Sequence, residues 1–475
     1  MKLSSVIKIN LKRNILLIIT SIFFVNFILN INSNGNQLIS YYLSNRIAFL
    51  TLLLNSLFYL LLAKALKSSL NLQSLSLSIC YFLSSYFFID FFFLAILNSQ
   101  NFQFTYLLVS SFWVGYFIIQ GMKQKWIYLL FPTYTALYLL NKTFSKELFR
   151  NIFYKELNTD VPVQWFEMAQ RISLNNYFEL FQNNVIDGHG LFLSYVQALI
   201  FKLNFFEFDF IFVRLNSNLF LIFTYFLIFD LFTSRKNKYL ATLAFTSLIL
   251  NSDWLTYLFI DSLMLEGIVS FFFCTFLVNL KNFLSDKLNL KSSVFFTLFS
   301  LLIFSKQFIS LLVVLILIYL FISRRDKNII PAFFIFLLDN LYKKFFTPSV
   351  DGFEYTQGLN FSKILSEVLT LQNLAFENIV KIINQTLIDK PISLLLGIFL
   401  FINIFNMYKS KNVKIIDNID FYIVIFNLIF IFTLFIVWWK DFGIQSSFRY
   451  ILNTLHLVFI NIVLMILMLI NKINL

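Results

Sequence analysis

The sequence predicts an all-α polytopic membrane protein: a bundle of about 11–14 transmembrane helices with outer-face loops that contain interfacial helices. Composition is the first reason. Of 475 residues, 59% are hydrophobic and only 13% charged, with a mean hydropathy of +0.78, whereas soluble domains carry about 25% charged residues. Second, runs of about 20 apolar residues recur, each long enough to cross a hydrocarbon core roughly 30 Å thick. Third, these runs do not alternate polar and apolar residues, as the strands of a membrane barrel would.

Taken in order, the apolar runs place crossings near 14–31, 47–66, 75–97, 103–121, 126–141, 209–232, 239–251, 262–280, 292–305, 307–323, 328–341, 391–408, 420–439 and 449–470. The start, with Lys2, Lys8, Lys12 and Arg13 before an apolar run, resembles a signal peptide without a small-residue cleavage site and reads as a retained first helix. Three regions follow: N-terminal transmembrane helices (1–141), a first large outer loop (142–208), and a transmembrane bundle (209–475) that includes a second outer loop, 342–390.

Charge sets the expected sidedness. Lys and Arg in short loops stay cytoplasmic. With both termini inside, the inner segments collect Lys64, Lys67, Lys123, Lys125, Arg235, Lys236, Lys238, Lys281, Lys287, Lys291, Arg324, Arg325 and Lys327, among others. The net charge of +13 therefore faces anionic lipid at the inner or plasma membrane rather than nucleic acid. The 66 Phe residues reflect biased composition, not a base-stacking surface. Cys80 and Cys274 lie inside apolar runs and read as small hydrophobic residues. In the first outer loop, LFLSYVQALIFKL (191–203) reads as a helix in the interface with its apolar face in lipid. In the second, apolar residues at Ile364, Val368, Leu371 and Leu374 have helical spacing on the membrane surface.

Ionisable groups near helix ends carry whatever chemistry there is. Asp160 precedes PVQWFEMAQRI and is equally well placed as an N-cap. Asp261 and Glu266 lie where a short outer loop feeds a helix, with Asp253 just before them; solvated loop charge is the plainer role for at least one of the three. Lys306 sits in a Ser-Lys-Gln turn between two apolar runs, near enough to the surface to meet phosphate as a mobile point charge. Arg449 opens the last helix, where an arginine snorkels or offers its fork to phosphate. His456, two turns later, reads as a core residue. Asp90, in YFFIDFFF, is the clear mid-helix acid of the first half. There is no nucleotide-binding glycine loop and no nucleophile elbow. Outward carboxylates and two cations suit a phosphate-bearing lipid substrate, the carboxylates activating an acceptor hydroxyl or holding a divalent cation.

The order of these features resembles the GT-C superfamily of polytopic glycosyltransferases that use polyprenyl-phosphate-linked sugars, such as the protein O-mannosyltransferases and the aminoarabinose transferases. The likeness rests on TDVPVQWFEMAQRI, NNYFELF, DGHGLFLSYVQALIFKL, YLFIDSLMLEGIVSFFF, SLLIFSKQFISLLVV and FRYILNTLHLVFI, from about Asn158 to Ile470. It implies an inverting transfer of a sugar from a polyprenyl-phosphate donor to a glycan, lipid or protein acceptor on the outer face. Asp160 would be the catalytic base, Asp261 a second acid, and Lys306 and Arg449 the phosphate ligands. Glu167, His189 and Glu266 would bind substrate. The chain departs from the family pattern where Gly190 and Leu191 replace the prolines of its His-Pro-Pro-Leu element, and where Asn453 and His456 replace its terminal prolines. An O-antigen polymerase or ligase is a second candidate class, although loop 342–390 has no His or Arg. A lipid-linked glycan transporter or flippase, with ionisable groups near the midplane, is a third.

Overall fold

The computed structural model describes residues 46–97, 101–121, 125–150, 166–174, 191–203, 210–232, parts of 238–246, 266–285, 287–305 and 307–346. The expected crossings at 14–31, 391–408, 420–439 and 449–470 lie outside them, as does the second outer loop except for 342–346, which are helical. Among the described residues there is no strand. The helices are α1 (Arg46–Ser69), α2 (Leu75–Leu97), α3 (Phe102–Gly121), α4 (Leu130–Arg150, after a 3₁₀ turn at Lys125–Leu129), α5 (Phe166–Ser173), α6 (Leu191–Leu203), α7 (Phe210–Leu231), α8 (Glu266–Phe283), α9 (Leu290–Ser300, continued by a 3₁₀ turn at Leu301–Phe304), α10 (Gln307–Arg324) and α11 (Ile330–Phe346).

Three segments are long and apolar enough to cross a membrane: Phe49–Ser69, Leu75–Phe93 and Phe102–Gln120. Shorter apolar helical stretches are Leu191–Leu203, Leu219–Leu231, Gly267–Phe283, Leu290–Phe304, Leu312–Ile322 and Lys327–Leu338. In α3 the outward face exposes Phe104, Leu107, Phe112, Ile118 and Ile119, which suits a helix whose solvent on that side is lipid. α4 continues to Arg150, past the hydropathy boundary at 141. Its last turns (SKELFR) are too polar for a lipid core, but they are good helix formers.

One polar network fastens α2 to its neighbours. Asp230, near the end of α7, accepts hydrogen bonds from the backbone N–H groups of Leu75 and Ser76 (both 2.7 Å) and from the hydroxyls of Ser74 (2.7 Å) and Ser76 (2.6 Å). A carboxylate here satisfies donors of the first helical turn that have no partner inside the helix, and it sits at the positive end of the helix dipole. Ser74 itself caps Leu77 N–H at 3.0 Å and accepts from Asn279 Nδ2 of α8 at 3.2 Å. Nearby, the Tyr116 hydroxyl donates to the Ser69 carbonyl at 3.0 Å. The C-terminal ends of α1, α7 and α8 therefore gather at one end of the bundle, and Ser285 N–H, just after α8, ties the turn after α10 to it through Asp326 at 3.1 Å; Lys67, Lys281, Lys287, Arg325 and Lys327 lie on these segments, and this end is called the basic end below.

The core is aromatic. Tyr59 of α1 packs on Phe223 of α7 (ring centroids 5.0 Å), Phe220 of α7 on Phe271 of α8 (5.8 Å), and Phe276 of α8 on Phe295 of α9 (5.3 Å). Edge-to-face and tilted pairs of this kind add to simple area burial. Cys80 and Cys274 are both fully buried.

α6 is the main correction to the sequence reading. Rather than lying in the interface with one face in lipid, it is enclosed by protein: every residue except Lys202 is buried. Its neighbours are α5, α2, α7 and the Leu301–Phe304 turn. The physical reason is visible in LFLSYVQALIFKL. Apolar residues occur all round the helix, and such a helix is stable inside a bundle rather than half-immersed.

Candidate functional site

Most of the residues singled out from sequence lie outside the described residues: Asp160, His189, Asp261, Lys306 and Arg449. The elements that adjoin four of these positions are described, and they converge in the half of the bundle away from the basic end. α6 begins two residues after His189, α8 five residues after Asp261, and the Leu301–Phe304 turn ends two residues before Lys306. α5 begins six residues after Asp160.

The meeting point is α2. Phe91 packs on Phe304 with centroids 4.5 Å apart, and Phe87 packs on Phe192 of α6 (5.1 Å) and on Phe304 (5.8 Å). Phe192 in turn meets Phe272 of α8 at 5.2 Å. A chain of ring contacts, Phe304 to Phe91 and Phe87, then Phe192, then Phe272, thus joins three of the candidate segments. The fourth, α5, joins through α6: Met168, Ala169 and Ile172 are fully buried on one face, and Gln103 Nε2 of α3 donates to the Ser173 carbonyl at 2.8 Å.

Glu167 is described, and its carboxylate is paired with Arg171 one turn on. Both side chains are partly exposed. Such an i, i+4 pair contributes roughly 0.3–0.5 kcal/mol, and Glu167 also lies in the first turn, where negative charge suits the helix dipole. Glu266 opens α8; its side chain lies outside what is described.

A buried acid occupies the same half of the bundle. Asp90 is 4% exposed within the Leu75–Phe93 crossing and accepts from Thr105 Oγ of α3 at 2.6 Å. Tyr195 of α6, whose hydroxyl donates to the Tyr86 carbonyl at 3.3 Å, lies close enough to feel that charge. Lys202, on the same helix, sits 6.0 Å from the Tyr106 ring centre.

Two polar side chains of α6 have no hydrogen-bond partner: the Ser194 hydroxyl and the Gln197 carbonyl oxygen, both buried. Sequence gave no signal for them, since Ser and Gln in a short apolar run read as the polar face of a surface helix. Among the described residues, no three of His, Cys, Asp and Glu come together as a metal site.

No protein-family model, curated protein or solved structure matches this chain. The functional reading therefore stands on the residues and their arrangement alone.

Proposed function

We propose that the chain is an inverting membrane glycosyltransferase that moves a sugar from a polyprenyl-phosphate donor to an acceptor hydroxyl at the membrane surface. The observation that carries this reading is the gathering of the segments adjoining His189, Asp261, Glu266 and Lys306 around Phe87 and Phe91 of α2. Described segments more than 100 positions apart in sequence meet on one aromatic cluster, and the sequence positions they adjoin follow the histidine–acid–cation order of the GT-C pattern.

In the proposed reaction the acceptor oxygen attacks the anomeric carbon. Its proton passes to the Asp160 carboxylate as the glycosidic bond forms. The bond from the anomeric carbon to the phosphate oxygen breaks, and polyprenyl phosphate leaves with the electron pair. Lys306 and Arg449 meet the charge that develops on that phosphate, Asp261 serves as a second acid, and Glu167, His189 and Glu266 bind substrate. The carboxylates offer oxygen ligands of the type a divalent cation takes.

The test is mass spectrometry of lipid extracts from cells carrying the native chain or Asp160→Asn, with membrane insertion of both verified. Accumulation of a polyprenyl-phosphate sugar and loss of one residue from a surface glycan are expected in the variant. Unchanged lipids and glycans, with the variant inserted normally, would refute the assignment.

Asp90 favours a second reading, transport of a lipid-linked glycan, because a buried acid inside a crossing helix is a usual feature of transport pathways. Under that reading Asp90→Asn abolishes function while Asp160→Asn is silent.

A further inference from the structure

We propose that the segment joining α8 to α9, together with the turn between α10 and α11, forms a docking surface for anionic phospholipid headgroups. This is independent of the transferase reading. The segment is held firmly from beneath. Ser285 N–H donates to Asp326 Oδ2 at 3.1 Å, and Asn289 N–H donates to Asn328 Oδ1 at 2.7 Å. Asn328 Nδ2 donates to the Lys287 carbonyl at 3.0 Å and to Asp326 Oδ1 at 2.6 Å, and the Ser293 hydroxyl donates to Asn328 Oδ1 at 3.2 Å. Asp326 and Asn328 are themselves buried, at 2% and 0% exposure. A loop tied at this many points presents its outer side chains in a fixed arrangement.

Those outer side chains combine two properties. Leu288 is 72% exposed and Leu290 is 81% exposed, and Ile322 and Ile330 extend the apolar patch across the neighbouring turn. Lys287 and Lys291 flank the two leucines in sequence, Arg325 and Lys327 lie between Ile322 and Ile330, and all four cations are exposed. Lys281, Lys287, Lys291, Arg325 and Lys327 lie on this end of the bundle, and the Asp326 carboxylate is turned inward to the backbone. Large apolar groups ringed by cations fit a surface that has phosphates outside and hydrocarbon just beneath. The sides of α10 and α11 expose Ile318, Tyr319, Phe334 and Leu337, so the patch continues directly into helix faces suited to lipid tails. An acidic protein or a nucleic acid would use the cations but not this apolar continuation.

Arg325 adds an independent indication. It is a non-glycine residue in the left-handed region, with φ of 51°, immediately after α10, and its N–H closes the helix end on the Phe321 carbonyl at 3.0 Å. Glycine is the usual residue at such a cap, because other side chains are disfavoured there. The backbone gains nothing from arginine at this position, whereas a headgroup phosphate gains a bidentate partner.

The experiment uses the full-length protein, purified in zwitterionic detergent and titrated with phosphatidylglycerol or phosphatidylcholine, with retained lipids counted by native mass spectrometry over a range of salt. The native chain should retain phosphatidylglycerol in preference, and the preference should shrink as salt rises. Lys287→Gln, Lys291→Gln and Lys327→Gln should each weaken phosphatidylglycerol retention about fivefold at low salt. Leu288→Ser with Leu290→Ser should lower retention of both lipids, independent of salt. Arg325→Gly should lose part of the preference while its resistance to heat is kept or improved, which separates headgroup binding from folding. Equal retention of the two lipids by the native chain, or an unchanged preference when Lys287→Gln, Lys291→Gln and Lys327→Gln are combined, would overturn the proposal. Displacement by millimolar inorganic phosphate without any lipid preference would do the same, marking a free-anion site.

Discussion

Removing the Asp230 carboxylate is the sharpest test of how this bundle is held together. In Asp230→Ala, two backbone N–H groups of the first turn of α2 and the hydroxyls of Ser74 and Ser76 lose their acceptor. Ser74 still caps Leu77, so the helix start is not wholly undone. Two partly buried, orphaned donors cost about 1–1.5 kcal/mol each. Loss of negative charge at the helix N-terminus adds roughly 0.5–1 kcal/mol. The expected loss is thus about 3 kcal/mol, read as unfolding free energy in mixed micelles of a mild detergent and a denaturing one. Asp230→Asn keeps one acceptor oxygen and should lose about half as much. A double-mutant cycle with Ser76→Ala should show a coupling of roughly 0.5–3 kcal/mol. If Asp230→Ala lies within about 0.5 kcal/mol of the native chain, where ordinary surface substitutions fall, the cap is not what joins α7 to α2.

Other substitutions probe different parts of the same argument. Asn328→Ala removes the partner of Asn289 N–H, the Lys287 carbonyl and the Ser293 hydroxyl at once; it should destabilise by about 2–3 kcal/mol and make the 284–290 segment a site of limited proteolysis. Ser194→Ala and Gln197→Met replace buried polar atoms that have no partner, so each should leave stability unchanged or raise it by about 1 kcal/mol in the same micelle assay. A marked loss of stability from either would mean that α6 is not buried as described.

Much of the helical layout was legible in the sequence. Leu75–Leu97 coincides with the expected crossing 75–97, and α3 and α7 fall within one or two residues of expectation, because a long apolar run flanked by polar residues leaves little freedom. α6 was harder. A 13-residue apolar run with one Lys, one Gln and one Ser suits an interfacial helix or a buried one, and only the surrounding helices decide between them. The roles of Asp230, Asp326 and Asn328 were not legible either. Asp230 meets its partners across more than 150 positions of chain, and nothing local distinguishes it from an ordinary charge at a helix end. For the candidate site, sequence supplied the order of acids and cations, and the fold supplied the aromatic platform under their neighbours. Asp90 was visible as an acid inside an apolar run, but its bond to Thr105 required the packing of α2 on α3.

The enclosure of α6 has a consequence for how the protein is made. At 13 residues it is about 20 Å long, short of the ~20 residues that insert as an independent span. Its seat is built partly from Phe272 and from the Leu301–Phe304 turn, which are synthesised later than α6 itself. During biogenesis the segment can pack on α5 and α2 as soon as it is made, but its enclosure is complete only when the chain beyond residue 304 has emerged. A ribosome stalled before that point would leave a nascent chain with one side of this apolar helix uncovered, a natural mark for quality-control proteases.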